Sequence, residues 1–357
     1  MKTYIKFLVI TFLKSFLNIF MIMFSLVFIL NILKEVEFFS DKNVNSFYPI
    51  YLSLMNSPSV IFEMFPFIFL ISTQFFFIKL FSNNEIHIFK YSGLKNLSII
   101  KILSVLSLFV GIIIITFFYN LSSNLQSYYL EIKNQYIQDN SYLAVINKNG
   151  LWIKDIVDDK ISIINSSLIE ENFLRETIIT TFDKKYNPIK NIKSDKIDIK
   201  SNKWLIHEAS IFEENTNKNI KLFEFETNFN LKMIESLFSN LSSLSILNLI
   251  NLRNNYKSLN YSIVDVDMHI HKIFTYPIYL MFMTILSSII MFNTKRFKSS
   301  SLKIVIGLFF SVIIYYISNF FNAMGSTEKI SLIFAIWSPL IFLGFINILM
   351  LLKINEK

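Results

Sequence analysis

Few residue types able to perform chemistry occur in this sequence, and their spacing excludes most reactions. There are four histidines, His87, His207, His269 and His271. His269 and His271 form an H-x-H pair close to Asp265 and Asp267, but no third ligand stands at matched spacing, so no metal site is expected. The six glycines stand at 93, 111, 150, 307, 325 and 344, and none precedes a lysine. A phosphate-cradling P-loop and a glycine-rich dinucleotide loop are therefore both excluded. Any energy from ATP must enter through a partner. With no cysteine, thiol catalysis, disulfides, iron–sulfur clusters and cysteine zinc sites are excluded too. No nucleophile, base and orienting acid share a motif, so neither an enzyme nor a cofactor is implied.

The most informative polar segment is Glu85-Ile86-His87-Ile88-Phe89-Lys90-Tyr91-Ser92-Gly93. Spacings of three and four residues put Ile86, Phe89 and Lys90 on one side of a short helix. Glu85 lies in its first turn, where a carboxylate complements the helix dipole, and Gly93 is its stop. The pattern fits a docking helix within about residues 83–95. It fits an ordinary capped interfacial helix equally well.

The elements that must position this segment follow from composition. A chain of 357 residues that is 53% hydrophobic, 16% aromatic and only 17% charged is too apolar for a soluble domain. A membrane helix needs about 20 mostly apolar residues. Six stretches qualify: Lys14 to Lys34, about Ser57 to Phe81, Lys101 to about Asn120, Lys272 to Lys295, Lys303 to Glu328 and Lys329 to Lys353. Glu63 lies near the start of the second, and otherwise the spans hold little polar beyond Asn18, Gln74 and Asn319, which argues against a proton-coupled pump. Asn43 to Asn56 is also uncharged, but Pro49 and its Ser and Asn content read as an extracytoplasmic loop or interfacial helix. The first stretch is expected to be retained, since no small-x-small cleavage pattern follows it.

With six spans, the lysines at 2, 6 and 14, those at 79, 90, 95 and 101, and Lys295, Arg296, Lys298 and Lys303 all fall on one side. By the positive-inside rule that side is cytoplasmic, with both termini. Residues 124–267 carry 17 basic and 19 acidic side chains against 17 and 7 elsewhere, so the net +8 belongs to the membrane part. A nucleic-acid face would concentrate it on the soluble part instead.

The large loop between the third and fourth spans reads as a β domain. Tyr142 to Ile146, Leu151 to Ile153, Lys160 to Ile164, Glu176 to Asp183 and Lys203 to Phe212 have strand character, separated by turn-like clusters at Asn147 to Gly150 and Lys184 to Pro188. Short spacing favours an all-β sandwich or jellyroll. From Ser236 to Leu252, Phe238, Leu241, Leu244, Leu247 and Leu252 suggest an amphipathic helix returning to the bilayer. The expected architecture is membrane α-helical: residues 1–120 hold helices 1–3, residues 121–267 an inserted extracytoplasmic all-β, jellyroll-like domain, and residues 268–357 helices 4–6. No repeat relates the two helix groups, which disfavours a symmetric secondary transporter. A membrane-anchored receptor or adaptor with an outer β domain is the alternative.

Pro58, Pro66, Glu85 and Gly93 form the pattern P-x7-P-x18-E-x7-G. This resembles the second helix and coupling helix of the lipopolysaccharide export permeases, the LptF/LptG (YjgP/YjgQ) family. Gly150 to Asp155, Lys203-Trp204 with Leu205 to Ala209, and Lys272-Ile273-Phe274 leading to Pro277 resemble further parts of it, so that likeness runs from Lys6 to Leu352. The GLW segment and Ser92 before Gly93 are most like the LptG branch. The resemblance implies an ABC exporter subunit of the inner membrane without its own ATPase site, its large domain periplasmic. It implies as partners an LptF-like second permease, a cytoplasmic LptB-like ATPase dimer, LptC-like and LptA-like periplasmic β-jellyroll proteins, and lipopolysaccharide as cargo. Glu85, Ile86, Phe89 and Gly93 would couple to the ATPase, and Lys34 and Lys42 would meet the lipid headgroup. Phe39, Ser40 and Asp41 stand where some relatives carry further lysines.

Overall fold

The computed structural model describes residues 3–40, 44–45, 47–134, 136, 151–157, 160–170, 172–213, 216–231, 234, 240–258, 261–293 and 299–355. These form two compact units, residues 1–126 with 264–357, and residues 127–263. Expected strand Tyr142 to Ile146 and turn Asn147 to Gly150 lie outside the described residues.

In the helical unit, α1 is Thr3–Phe39, α2 Phe47–Ser82, α3 Glu85–Tyr91 and α4 Asn96–Ile113. A π-helical segment, Ile114–Tyr119, joins α4 to α5, Asn120–Asn134. After α6, Ile246–Ser258, come α7, Val264–Asn293, α8, Ser300–Ser326, and α9, Leu332–Asn355. Among the described residues six helical stretches are long and apolar enough to cross a bilayer: α1, α2, Asn96–Lys133, α7, α8 and α9. The reading of Asn43 to Asn56 as a separate loop or interfacial helix is corrected from Phe47 onward, where the chain runs straight into the second span as α2. Pro49 sits in the first turn, where the missing N–H has no intrahelical partner to lose.

Phenylalanine fills this unit. Phe12, Phe65, Phe69, Phe76 and Phe77 are almost fully buried. Their rings meet at 5–6.5 Å, as Phe76 with Phe77 at 5.1 Å and 80°. Edge-on geometry suits the ring quadrupole. Gly111 permits a close helix approach, because a Cβ there would stand 2.9 Å from Pro277 Cα on α7.

The second unit is built on one antiparallel sheet in simple chain order: β1 Leu151–Val157, β2 Lys160–Glu170, β3 Phe173–Phe182, β4 Pro188–Asp198, β5 Lys203–Glu213 and β6 Thr216–Glu226. The protein is thus a helical membrane protein with an inserted all-β domain. β4 and β6 carry no strand reading in the sequence, because lysines at 190, 193 and 196 and the polar run Thr216 to Lys221 mask their alternation.

A single meander needs a bend if both ends of its strands are to share one core, and serine chemistry provides it. In β3, β4 and β5 inward side chains recur every two residues except across Leu174/Thr177, Ser194/Ile197 and Ile206/Ala209, where the step is three. Glu176 and Glu208, inside two of these steps, have φ of 47° and 48°. The carbonyls before them leave the ladder and are taken by hydroxyls: Ser166 Oγ donates to Arg175 O at 2.7 Å and Ser194 Oγ to His207 O at 2.5 Å. Each extra residue bends its strand and resets the alternation. Leu174, Ile197, Trp204 and Ile206 on one side then pack in the same cluster as Ile164, Ile179, Ile192 and Ile211 on the other.

The expected helix from Ser236 to Leu252 is corrected in its described part to a 3₁₀ turn, Leu241–Ser243, followed by α6. Ser245 Oγ accepts from Asn248 N at 3.3 Å and so starts the new helix. Its buried residues are Leu249 and Leu252, whereas Leu247 is 74% exposed.

Candidate functional site

α3 occupies the loop between the second and third spans. Asn84 turns the chain with φ 56°, Glu85 opens the helix, and Gly93 at φ 80° ends it. Leu94 N donates to Phe89 O at 2.9 Å across that turn, closing the helix end. A left-handed φ explains why glycine suits position 93.

The two faces of α3 differ. Ile86 is 3% exposed, and Phe89 packs on the same core with its ring 6.0 Å from Phe7. Ile88 is 61% and Tyr91 90% exposed. The Ile86/Phe89 side therefore rests on the membrane helices, while Ile88 and Tyr91 project away. Glu85 is half-buried, with Oε1 accepting from Asn83 Nδ2 at 3.2 Å. Its Oε2 is buried and has no hydrogen-bond partner among the described residues. A buried carboxylate oxygen is costly to leave unpaired.

At the other end of α1, Lys34 is exposed, while Asn31 one turn earlier is buried and donates through Nδ2 to Ser57 Oγ on α2 at 3.0 Å. Glu35, beside Lys34, is buried. Lys42 lies outside the described residues. The pair His269 and His271 is divided by helical geometry: His269 Nε2 meets Tyr119 OH at 3.1 Å and His271 Nδ1 meets Asp267 O at 2.8 Å.

In the β unit the two outer strands are unlike. On β1, Lys154 N donates to Tyr261 OH at 3.3 Å, and Ile156 O accepts from Asn228 Nδ2 at 3.0 Å. Side chains thus occupy backbone groups that a further strand would need. Burial pushes the Tyr261 phenol above its ordinary pKa, keeping it neutral. The same segment closes on Asp155, a 1% exposed side chain on β1. Its carboxylate accepts from Thr227 Oγ1 at 2.5 Å, Asn228 N at 3.1 Å and Asn228 Nδ2 at 2.8 Å. On β6, by contrast, no outward backbone group has a partner among the described residues, and Ile220 and Leu222 are 37% and 52% exposed. An edge strand or apolar groove open to strand addition is expected of the β domain from sequence, but β6 is not read as that strand, and Asp155 is missed although it is the acid among the apolar inward positions of β1.

Comparison with known proteins adds the family. No curated protein matches the chain. Residues 6–353 match the family described as Lipopolysaccharide export system permease LptF/LptG. That match spans nearly all of both units, and with six apolar helices it makes this a multi-pass inner-membrane transport subunit. The chain belongs to the LptF/LptG family of lipopolysaccharide export permeases.

Proposed function

We propose that the chain is the LptG-like half of an ABC exporter that extracts lipopolysaccharide and is driven by a cytoplasmic ATPase dimer. Leu151-Trp152 in β1 and Ser92 before Gly93 favour the LptG branch over LptF. Both termini and α3 face the cytoplasm in this reading, and the β unit, within residues 121–267, faces the periplasm. Helices 1–3, with residues 1–120, and helices 4–6, with residues 268–357, form one wall of the cavity; an LptF-like mate supplies the other.

The observation that carries the reading is the unpartnered Glu85 Oε2 on a helix whose outer face is apolar. A basic group of the ATPase pairs with Glu85 while Ile88 and Tyr91 enter its surface. Ile86 and Phe89 fix α3 to the membrane core, so closure of the ATPase dimer moves the spans, and Gly93 sets where that lever ends. Lys34, with Lys42, meets phosphates at the cavity mouth. Open β6 accepts a strand from an LptC-like or LptA-like β domain, since β1 is capped.

Native mass spectrometry of the complex purified from its own membranes tests this. One copy with a second permease, two ATPase copies and bound glycolipid is the expected result, and Glu85→Lys should lose the ATPase. Normal export by Glu85→Lys beside a wild-type ATPase overturns the coupling role.

A further inference from the structure

Three helices of the helical unit converge on a polar and aromatic cluster that the coupling helix and Lys34 do not use. Tyr119 ends the π-helical segment, a backbone irregularity that often accompanies functional sites. Besides its bond to His269, its ring lies 5.1 Å from Phe62 on α2. The Phe62 ring stacks on Tyr276 of α7 at 4.7 Å and 20°, and Tyr276 OH donates to Phe62 O. This frame fixes α2 and α7 against each other.

Beside the frame stand exposed charges. Glu63 follows Phe62 and is exposed, as are Lys272 and Asp265 on α7. Asp265, His269, Lys272 and Tyr276 recur at steps of four, three and four and so share one helix face. Lys272 is within electrostatic reach of both Glu63 and Asp265.

Depth defines their surroundings. From Met64 to Ile78, α2 is uncharged, about 22 Å at a helical rise. From Ile273 to Asn293, α7 is uncharged for about 32 Å. Against a hydrocarbon thickness of about 30 Å, Lys272 marks the extracytoplasmic boundary and Glu63 lies just inside it. An exposed carboxylate at that depth is strongly disfavoured against acyl chains, so this face looks into a polar lumen.

Its composition selects the ligand. Two carboxylates accept from hydroxyls and an ammonium donates to oxygens, while the stacked rings of Phe62 and Tyr276 hold the two helices that carry them. With one cation offset by two acids, the set suits a bare phosphate poorly and a sugar ring well. We propose that Glu63, Asp265 and Lys272, held in place by the Phe62–Tyr276 frame, bind a sugar of the glycolipid headgroup in the outer leaflet. The proposal rests on the export reading. It places a saccharide contact on α2 and α7, apart from the phosphate contact on α1.

A photoreactive amino acid at Ser59, one turn from Glu63 on the same face, tests it in the assembled exporter, with a second probe at position 34. The Ser59 probe should capture glycolipid. Glu63→Gln or Lys272→Ala should lower that yield about tenfold while Lys272→Arg keeps most of it, the scale of one lost charge-assisted hydrogen bond. Capture of phospholipid or of the second permease at Ser59, or a yield insensitive to these substitutions, overturns the proposal. Glycolipid at position 34 but not at Ser59 sinks this site alone, whereas none at either position sinks the export reading as well. The unsubstituted Ser59 probe decides the matter even where a variant fails to assemble.

Discussion

The helical unit and the β unit meet the same requirement, that buried polar groups be paired, by different means. In the helical unit small hydroxyls turn back on their own helix: Ser53, Ser57, Thr73, Ser104, Thr284 and Ser288 each donate to the carbonyl four residues earlier. Bonds between helices are single and neutral, as Asn31 to Ser57 and Ser107 with Thr284 at 2.8 Å. The β unit also uses hydroxyls, Ser166 and Ser194, but adds to them one carboxylate, Asp155, which ties β1 to the segment after β6. Burial from water drives the β core together, so it can hold a charge-bearing clasp. Lipid gives helices no such drive, and packing with modest polar contacts must suffice.

The comparison breaks most sharply at Asp155. Replacing it by alanine strands three donors, and we expect the β unit to lose about 3 kcal/mol, read as faster amide exchange across β1 and β6 in the full-length protein. Unchanged exchange there would make the carboxylate incidental. Next in size, Gly111→Ala presses a methyl on the Pro277 backbone and should destabilise the helical unit by about 2 kcal/mol in a detergent unfolding assay. A stability equal to the parent's would show that α4 and α7 can part without cost. Smallest is the Asn31–Ser57 bond: a double-mutant cycle with alanine should give a coupling of only about 0.6 kcal/mol. A value as large as that of the Asp155 clasp would erase the contrast between the units.

How much could be read beforehand differs by element. The spans were legible because hydropathy is local, and α3 because Glu85 and Gly93 mark its ends by their own chemistry. Strands β1, β2, β3 and β5 alternate visibly. β6 does not, since its side chains stay largely exposed and no burial pattern is imposed on it. Nor could spacing tell which side of α3 faces outward: Ile86, Phe89 and Ile88, Tyr91 are equally apolar pairs.

Sequence alone therefore determined the six apolar spans, the inserted β domain, the lack of an ATP cradle and the position of α3. Each depends on residue type along a short stretch. Tertiary structure alone decided that Ile86 is covered and Tyr91 is not, that Asp155 closes on Thr227 and Asn228, and that Glu63 and Lys272 share one surface. These pairings join positions tens to hundreds of residues apart, and contact at that range comes from packing, which local periodicity does not encode.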